Sequence, residues 1–120
     1  MSVRDRLIKG ATPHLEPGES VRNAVSGISG PKWALAFGAL GAMATKPRAV
    51  VLTDRHVYVM RLKGMNKPSE IEFKHPTGSV PVELGTGVAN VPLIVGAEKV
   101  WISKVWRKEA EALAANAAQN

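Results

Sequence analysis

Cysteine is absent from this chain. Its absence excludes disulfides, thiolate nucleophiles and cysteine-based zinc sites, and it suits a reducing compartment, so a cytoplasmic location is expected. Aromatic residues are scarce at 5%, and Ala, Val and Gly carry much of the apolar content. Long apolar runs are missing as well. The longest, Trp33–Ala44, has twelve residues, and a helix of that length covers about 18 Å against the roughly 30 Å of a bilayer core. The opening Met1–Gly10 carries charges but no apolar run before a small-residue cleavage site, so no signal peptide is expected. These absences point to a protein that is not membrane-spanning, although it can be peripheral to a membrane.

Catalytic patterns are equally thin. His14, His56 and His75 are scattered over three loops or turns and lack the i, i+4 spacing of a helical metal site. They read as ordinary surface or turn histidines. There is no Gly-x-Ser-x-Gly elbow. Gly85-Thr-Gly87 begins like a dinucleotide fingerprint, but it lacks the third glycine and leads into a strand. The expectation is a non-enzymatic protein with no cofactor and no metal.

What the chain does have is basic charge. With 120 residues it forms one domain, with a net charge of +6 and a pI near 10.0. Such a balance favours anionic partners. The charge is concentrated. Between Lys46 and Lys67 stand Lys46, Arg48, Arg55, Arg61, Lys63 and Lys67 against the single anion Asp54. The same region holds the strongest strand signal, Arg48–Lys63, two β-branched runs joined by a polar turn at Thr53–His56. Asp54 suits that turn because its carboxylate can bond nearby backbone N–H groups.

Elsewhere, Val3, Leu7 and Ile8 predict a short helix over Val3–Lys9, stopped by Gly10 and Pro13. Pro17-Gly18 marks a turn, and Glu19–Gly27 reads as a strand broken near Gly30-Pro31. Gly64–Pro68 reads as a turn. Glu70–Lys74 alternates, which predicts Ile71 and Phe73 facing a core with Glu70, Glu72 and Lys74 facing water. Val82–Leu84 is a short strand, and Val91–Val95 and Glu98–Ser103 form a hairpin across Gly96-Ala97. Ser103 caps a helix over Lys104–Ala118 whose apolar face is Trp106, Ala110, Leu113 and Ala117, with fraying expected from Asn116. About seven short strands and a terminal helix predict a small antiparallel barrel or sandwich.

Trp33–Ala44 is the anomaly, being apolar on every face of a helix. Ala34, Gly38 and Ala42 form a ridge of small residues, and Lys32 with Trp33, and Lys46 with Arg48, flank the run like interfacial anchors. It reads as a covered insert, a flexible loop given the two glycines that weaken a helix, a self-association surface or a shallow membrane contact.

Several of these residues resemble one family. The order Leu15-x-Pro-Gly-Glu19, a strand, an apolar insert and Val50-Val-Leu-Thr-Asp-Arg-His-Val-Tyr-Val59 is similar to bacterial pleckstrin-homology-like and GRAM-type domains. Gly96, Trp101 and a closing helix extend the likeness, which runs from about Leu15 to Leu113. The resemblance implies a curled antiparallel barrel with a C-terminal capping helix; with the seven strands and the N-terminal helix read above, the expectation is a mainly β domain over 15–118 preceded by a helical arm at 1–14. It also implies a binding or assembly module, some relatives forming oligomeric rings, rather than an enzyme. Some pleckstrin-homology domains hold inositol phosphates through a Lys-x-Arg pattern. Lys46-Pro-Arg48 has that spelling, though it follows the insert.

Together these features predict a module that is peripheral to an anionic membrane or that mediates protein–protein or self-association. Lys46, Arg48, Arg61 and Lys63 would attract the anion, and Trp33, Phe37, Leu40 and Met43 would make an apolar contact. The alternative is a basic β-domain that binds nucleic acid. That reading needs rings among the cations, and only Tyr58 qualifies.

Overall fold

The computed structural model describes residues 2–29, 46–63, 67–87 and 90–118. Helix α1 (Val3–Ala11) opens the chain, followed by a 3-10 turn at Thr12–His14. Seven strands follow: β1 (Val21–Ser29), β2 (Lys46–Thr53), β3 (His56–Lys63), β4 (Lys67–Pro76), β5 (Val82–Leu84), β6 (Asn90–Val95) and β7 (Glu98–Ser103). A 3-10 turn at Lys104–Trp106 then leads into α2 (Arg107–Ala118). The strands form one antiparallel sheet in the order β4-β3-β2-β1-β7-β6-β5. The fold is mostly β, as its sequence predicts. Trp33, Phe37, Leu40 and Met43 lie outside the described residues.

The sheet curls because its two halves share one core. Val25, Val50, Leu52, Val57 and Val59 from β1–β3 cluster with Leu93, Val95, Val100 and Ile102 from β6–β7. Ala110, Leu113 and Ala117 of α2 close that cluster, giving the helix the buried face that its spacing predicts. The alternate residues of β1–β3 are buried too. Ala24, Ala49, Val51, Tyr58, Met60 and Leu62 pack beneath Leu7 and Ala11 of α1. A sheet covered on both faces needs apolar side chains at consecutive positions, which accounts for the unbroken run Ala49–Leu52.

Helix α1 is set by its first turn. Ser2 Oγ accepts from the Asp5 N–H at 3.1 Å while an Asp5 carboxylate oxygen accepts from the Ser2 N–H, a reciprocal capping box. The helix runs two residues past Lys9, through Gly10, because there is no side chain at Gly10 to meet Pro68 of β4; a Cβ would lie 2.6 Å from the proline Cδ. Packing against β4 therefore overrides the stop signal.

Strand β4 departs most from expectation. Pro68 belongs to the strand rather than to a turn, as an edge position allows. Ile71 and Phe73 are each 37% exposed instead of facing the core. The register explains it: Phe73 lies opposite Val59 but Ile71 lies opposite Met60, so Glu72 is an extra residue in a bulge. Cross-strand partners share a face, so Phe73 follows Val59 to one side while Ile71 follows Met60 to the other. A second bulge at Ser69, together with Pro68, Lys67, Glu70 and Lys74, leaves an irregular charged edge that discourages strand addition.

Strands β1 and β7 touch through a single register pair, Ile28 opposite Trp101. Gly27 makes this approach possible, since a Cβ there would sit 2.4 Å from the Trp101 carbonyl oxygen. Further down, α2 fills the opening between the strands. Glu109 Oε2 accepts from the Ala24 N–H at 3.2 Å, from Asn23 Nδ2 at 3.0 Å and from Arg4 Nε at 3.1 Å. Asn116, placed where fraying is expected, instead donates to Asn23 Oδ1 at 2.7 Å. These bonds tie α1, β1 and α2 together. Gly27→Ala should lower the unfolding free energy by about 1–3 kcal/mol, the usual cost of overpacking, which urea denaturation would measure. An unchanged midpoint would mean that the β1–β7 contact tolerates a methyl group.

Candidate functional site

Two polar assemblies stand at opposite ends of β1, separated by roughly 26 Å of extended strand. The first begins in the turn Glu16–Glu19. The Glu19 N–H donates to the Glu16 carbonyl at 3.0 Å, and Gly18 sits at φ 82°, a left-handed conformation that glycine adopts without a steric penalty. This turn buries the Glu19 side chain completely. Oε1 accepts from Tyr58 Oη at 2.6 Å and from the Glu16 N–H at 2.9 Å. Oε2 accepts from His56 Nδ1 at 2.9 Å and from the Thr53 hydroxyl.

Burial by itself would raise the Glu19 pKa. The hydroxyls of Thr53 and Tyr58, the Glu16 amide and His56 outweigh it and hold the carboxyl down at about 2. Burial and the adjacent Glu19 push the Tyr58 phenol well above its ordinary range.

Around this carboxylate, Thr53 rather than Asp54 organises the hairpin turn. Thr53 Oγ1 accepts from the N–H of Arg55 at 3.1 Å and of His56 at 2.9 Å. Asp54 reaches across to the residue just before β1, where Oδ1 accepts from the Ser20 N–H at 2.9 Å and its own N–H donates to the Ser20 carbonyl at 3.1 Å. Arg55 donates to the Pro17 carbonyl at 3.3 Å. The Pro-Gly-Glu and Thr-Asp-Arg-His stretches are therefore two halves of one clamp. His56 is not an ordinary turn histidine, because its ring is part of that clamp.

Glu16, Glu19 and His56 place three potential ligand atoms within 4.8 Å of one another. The Lys74 ammonium already stands 3.1 Å from Glu16 Oε2, and each Glu19 oxygen is taken by two donors. The group acts as a staple between strands, with its cation supplied by Lys74. Sequence reasoning missed Glu19 because Pro-Gly-Glu reads as a solvated turn. The usable signal was topological: antiparallel pairing brings the start of β1 beside the β2–β3 turn.

The second assembly lies at the other end. Arg48 is opposite Arg61, and Arg61 is opposite Glu70. Arg48 is buried, its Nε 2.8 Å from Glu72 Oε1. Arg61 holds Glu70 at 3.1 Å and Glu72 at 3.4 Å. Both guanidinium groups meet Glu72 Oε1 as ion pairs rather than as aligned hydrogen bonds. Of the four predicted anion-attracting residues, these two are already engaged with carboxylates, and Arg48 is inaccessible. Continuing the β2–β3 register by two residues brings Lys46 level with Lys63, and Lys63 lies opposite Lys67. All three lysines are exposed, and none has an ion-pair partner among the described residues. Sequence reasoning placed Lys67 in the basic stretch but not in the site.

No protein-family model, curated protein or solved structure matches the chain. No described helix is long and apolar enough to cross a membrane. Tyr58, the one ring among the cations, is fully buried and offers no stacking surface for a base.

The Glu19 clamp carries a pH signature. Its carboxyl stabilises the fold once the unfolded chain ionises near 4.5, and that stability disappears as pH falls toward 2. Wild-type unfolding free energy should therefore drop across this interval. Glu19→Ala should cost about 3 kcal/mol near neutral pH, by leaving buried donors unpaired, and should flatten the acid limb. Urea titrations at several pH values test this, and an unaltered acid limb in the variant would refute the role.

Proposed function

We propose that this chain is a pleckstrin-homology-like binding module that docks on anionic membrane surfaces. The order of seven antiparallel strands and a closing helix supports that family reading. The observation that carries the functional reading is the lysine row Lys46–Lys63–Lys67. Like charges placed side by side on adjacent strands repel, and a dense anionic surface relieves the repulsion while attracting each cation.

The chain's path supports the same surface. Ser29 is paired with Lys46, so the described residues on either side of 30–45 stand together at the lysine row, and the apolar sequence with Trp33, Phe37, Leu40 and Met43 lies between them in the chain. Cations at head-group level beside an apolar sequence are the two signals that stable peripheral attachment requires. The Glu19 clamp, at the far end of β1, holds the strands and does not take part in docking.

Co-sedimentation with vesicles of phosphatidylserine in phosphatidylcholine tests the proposal. Binding should weaken as salt rises. Replacing Lys46, Lys63 and Lys67 together by Gln should weaken it by about 100-fold, each basic residue near such a surface contributing about fivefold. Full retention of binding by the triple variant, or equal binding to pure phosphatidylcholine, would overturn the electrostatic reading.

A further inference from the structure

Beside the lysine row stand two carboxylates: Glu72 pairs with both Arg48 and Arg61, and Glu70 pairs with Arg61 alone. Arg48 has 7% of its side chain exposed and Glu72 20%; separating them would leave a buried charge without its partner, which is strongly unfavourable. Arg61 and Glu70 are 47% and 56% exposed. An exposed pair of that kind contributes little and exchanges readily. Two residues of strand, about 7 Å, separate Arg61 from Lys63, and the two side chains follow the same face. That distance lies within a Debye length at physiological salt, so Arg61 and the lysines respond to the same arriving charge.

We infer that Glu70 is an intramolecular competitor for the anion: it holds Arg61 in the free protein and releases it when an anionic head group reaches the lysine row. Arg61 is then the fourth cation of the site, and Arg48 is a fixed structural pair. The inference rests on the membrane reading above and adds the residue that sets its affinity. Glu72 stays with Arg48 throughout, and Arg61 gives up both Glu70 and its longer, 3.4 Å contact with Glu72.

A double-mutant cycle tests it, using wild type, E70Q, R61Q and R61Q/E70Q with phosphatidylserine-containing vesicles at low salt. E70Q should bind tighter by up to about fivefold, the effect of fully freeing one basic residue near an anionic surface, since Glu72 still faces Arg61 at 3.4 Å. R61Q should bind more weakly than wild type. In the R61Q background the E70Q gain should disappear. A gain of equal size with and without Arg61 would overturn the inference, because Glu70 would then act by general repulsion. No gain from E70Q in a wild type that binds would also overturn it while leaving the membrane reading intact. A wild type that binds no such vesicles removes both. Circular dichroism melts of the four proteins confirm that the differences are not losses of fold.

Discussion

A buried, ionised carboxylate organises this small fold. Removing Glu19 from water is unfavourable unless its lone pairs are occupied, and four donors from three separate segments occupy them. Because those donors come from the turn before β1, the end of β2 and the start of β3, satisfying one side chain sets the relation of three strands. The register of Val21 opposite Thr53 follows from that contact. Ser20 and Asp54, exchanging two hydrogen bonds just beyond, extend it by one more rung.

From that end the sheet propagates under a different constraint. Strands β1–β3 are covered on both faces, by α1 on one side and by β6, β7 and α2 on the other. Such strands leave no face for water, so their charges are forced to the ends and to the edge strand β4. The opening between β1 and β7 would expose unpaired backbone, and Glu109 answers it by accepting from the Ala24 N–H. A carboxylate from a helix thus completes the backbone pairing that a missing rung would have supplied.

The distribution of charge follows from the same geometry. One end of the sheet is consumed by the Glu19 clamp, with Lys74 and Arg55 both committed there. The other end leaves Lys46, Lys63 and Lys67 without an ion-pair partner among the described residues, while Arg48 and Arg61 are neutralised through Glu70 and Glu72. A net charge of +6 therefore understates the contrast between the two ends. Electrostatic attraction depends on which cations remain unpaired, and that is a matter of placement rather than of count.

Local chemistry was enough to read the strands other than β4, the Thr53–His56 turn, the Gly96-Ala97 hairpin and the buried face of α2, because periodicity and turn residues act over a few positions. The mainly β architecture followed from their number and order. The bulge at Glu72 was not legible, since an alternating Glu-Ile-Glu-Phe-Lys pattern gives no sign that one residue will be skipped. Nor was the burial of Glu19, whose donors lie 34 to 39 positions away in the chain, apart from the adjacent turn. Residue types and their short-range order were sufficient for most of the elements and for the amount of positive charge. Which charges are paired emerges with the folded sheet, because pairing depends on strands brought together from distant parts of the chain.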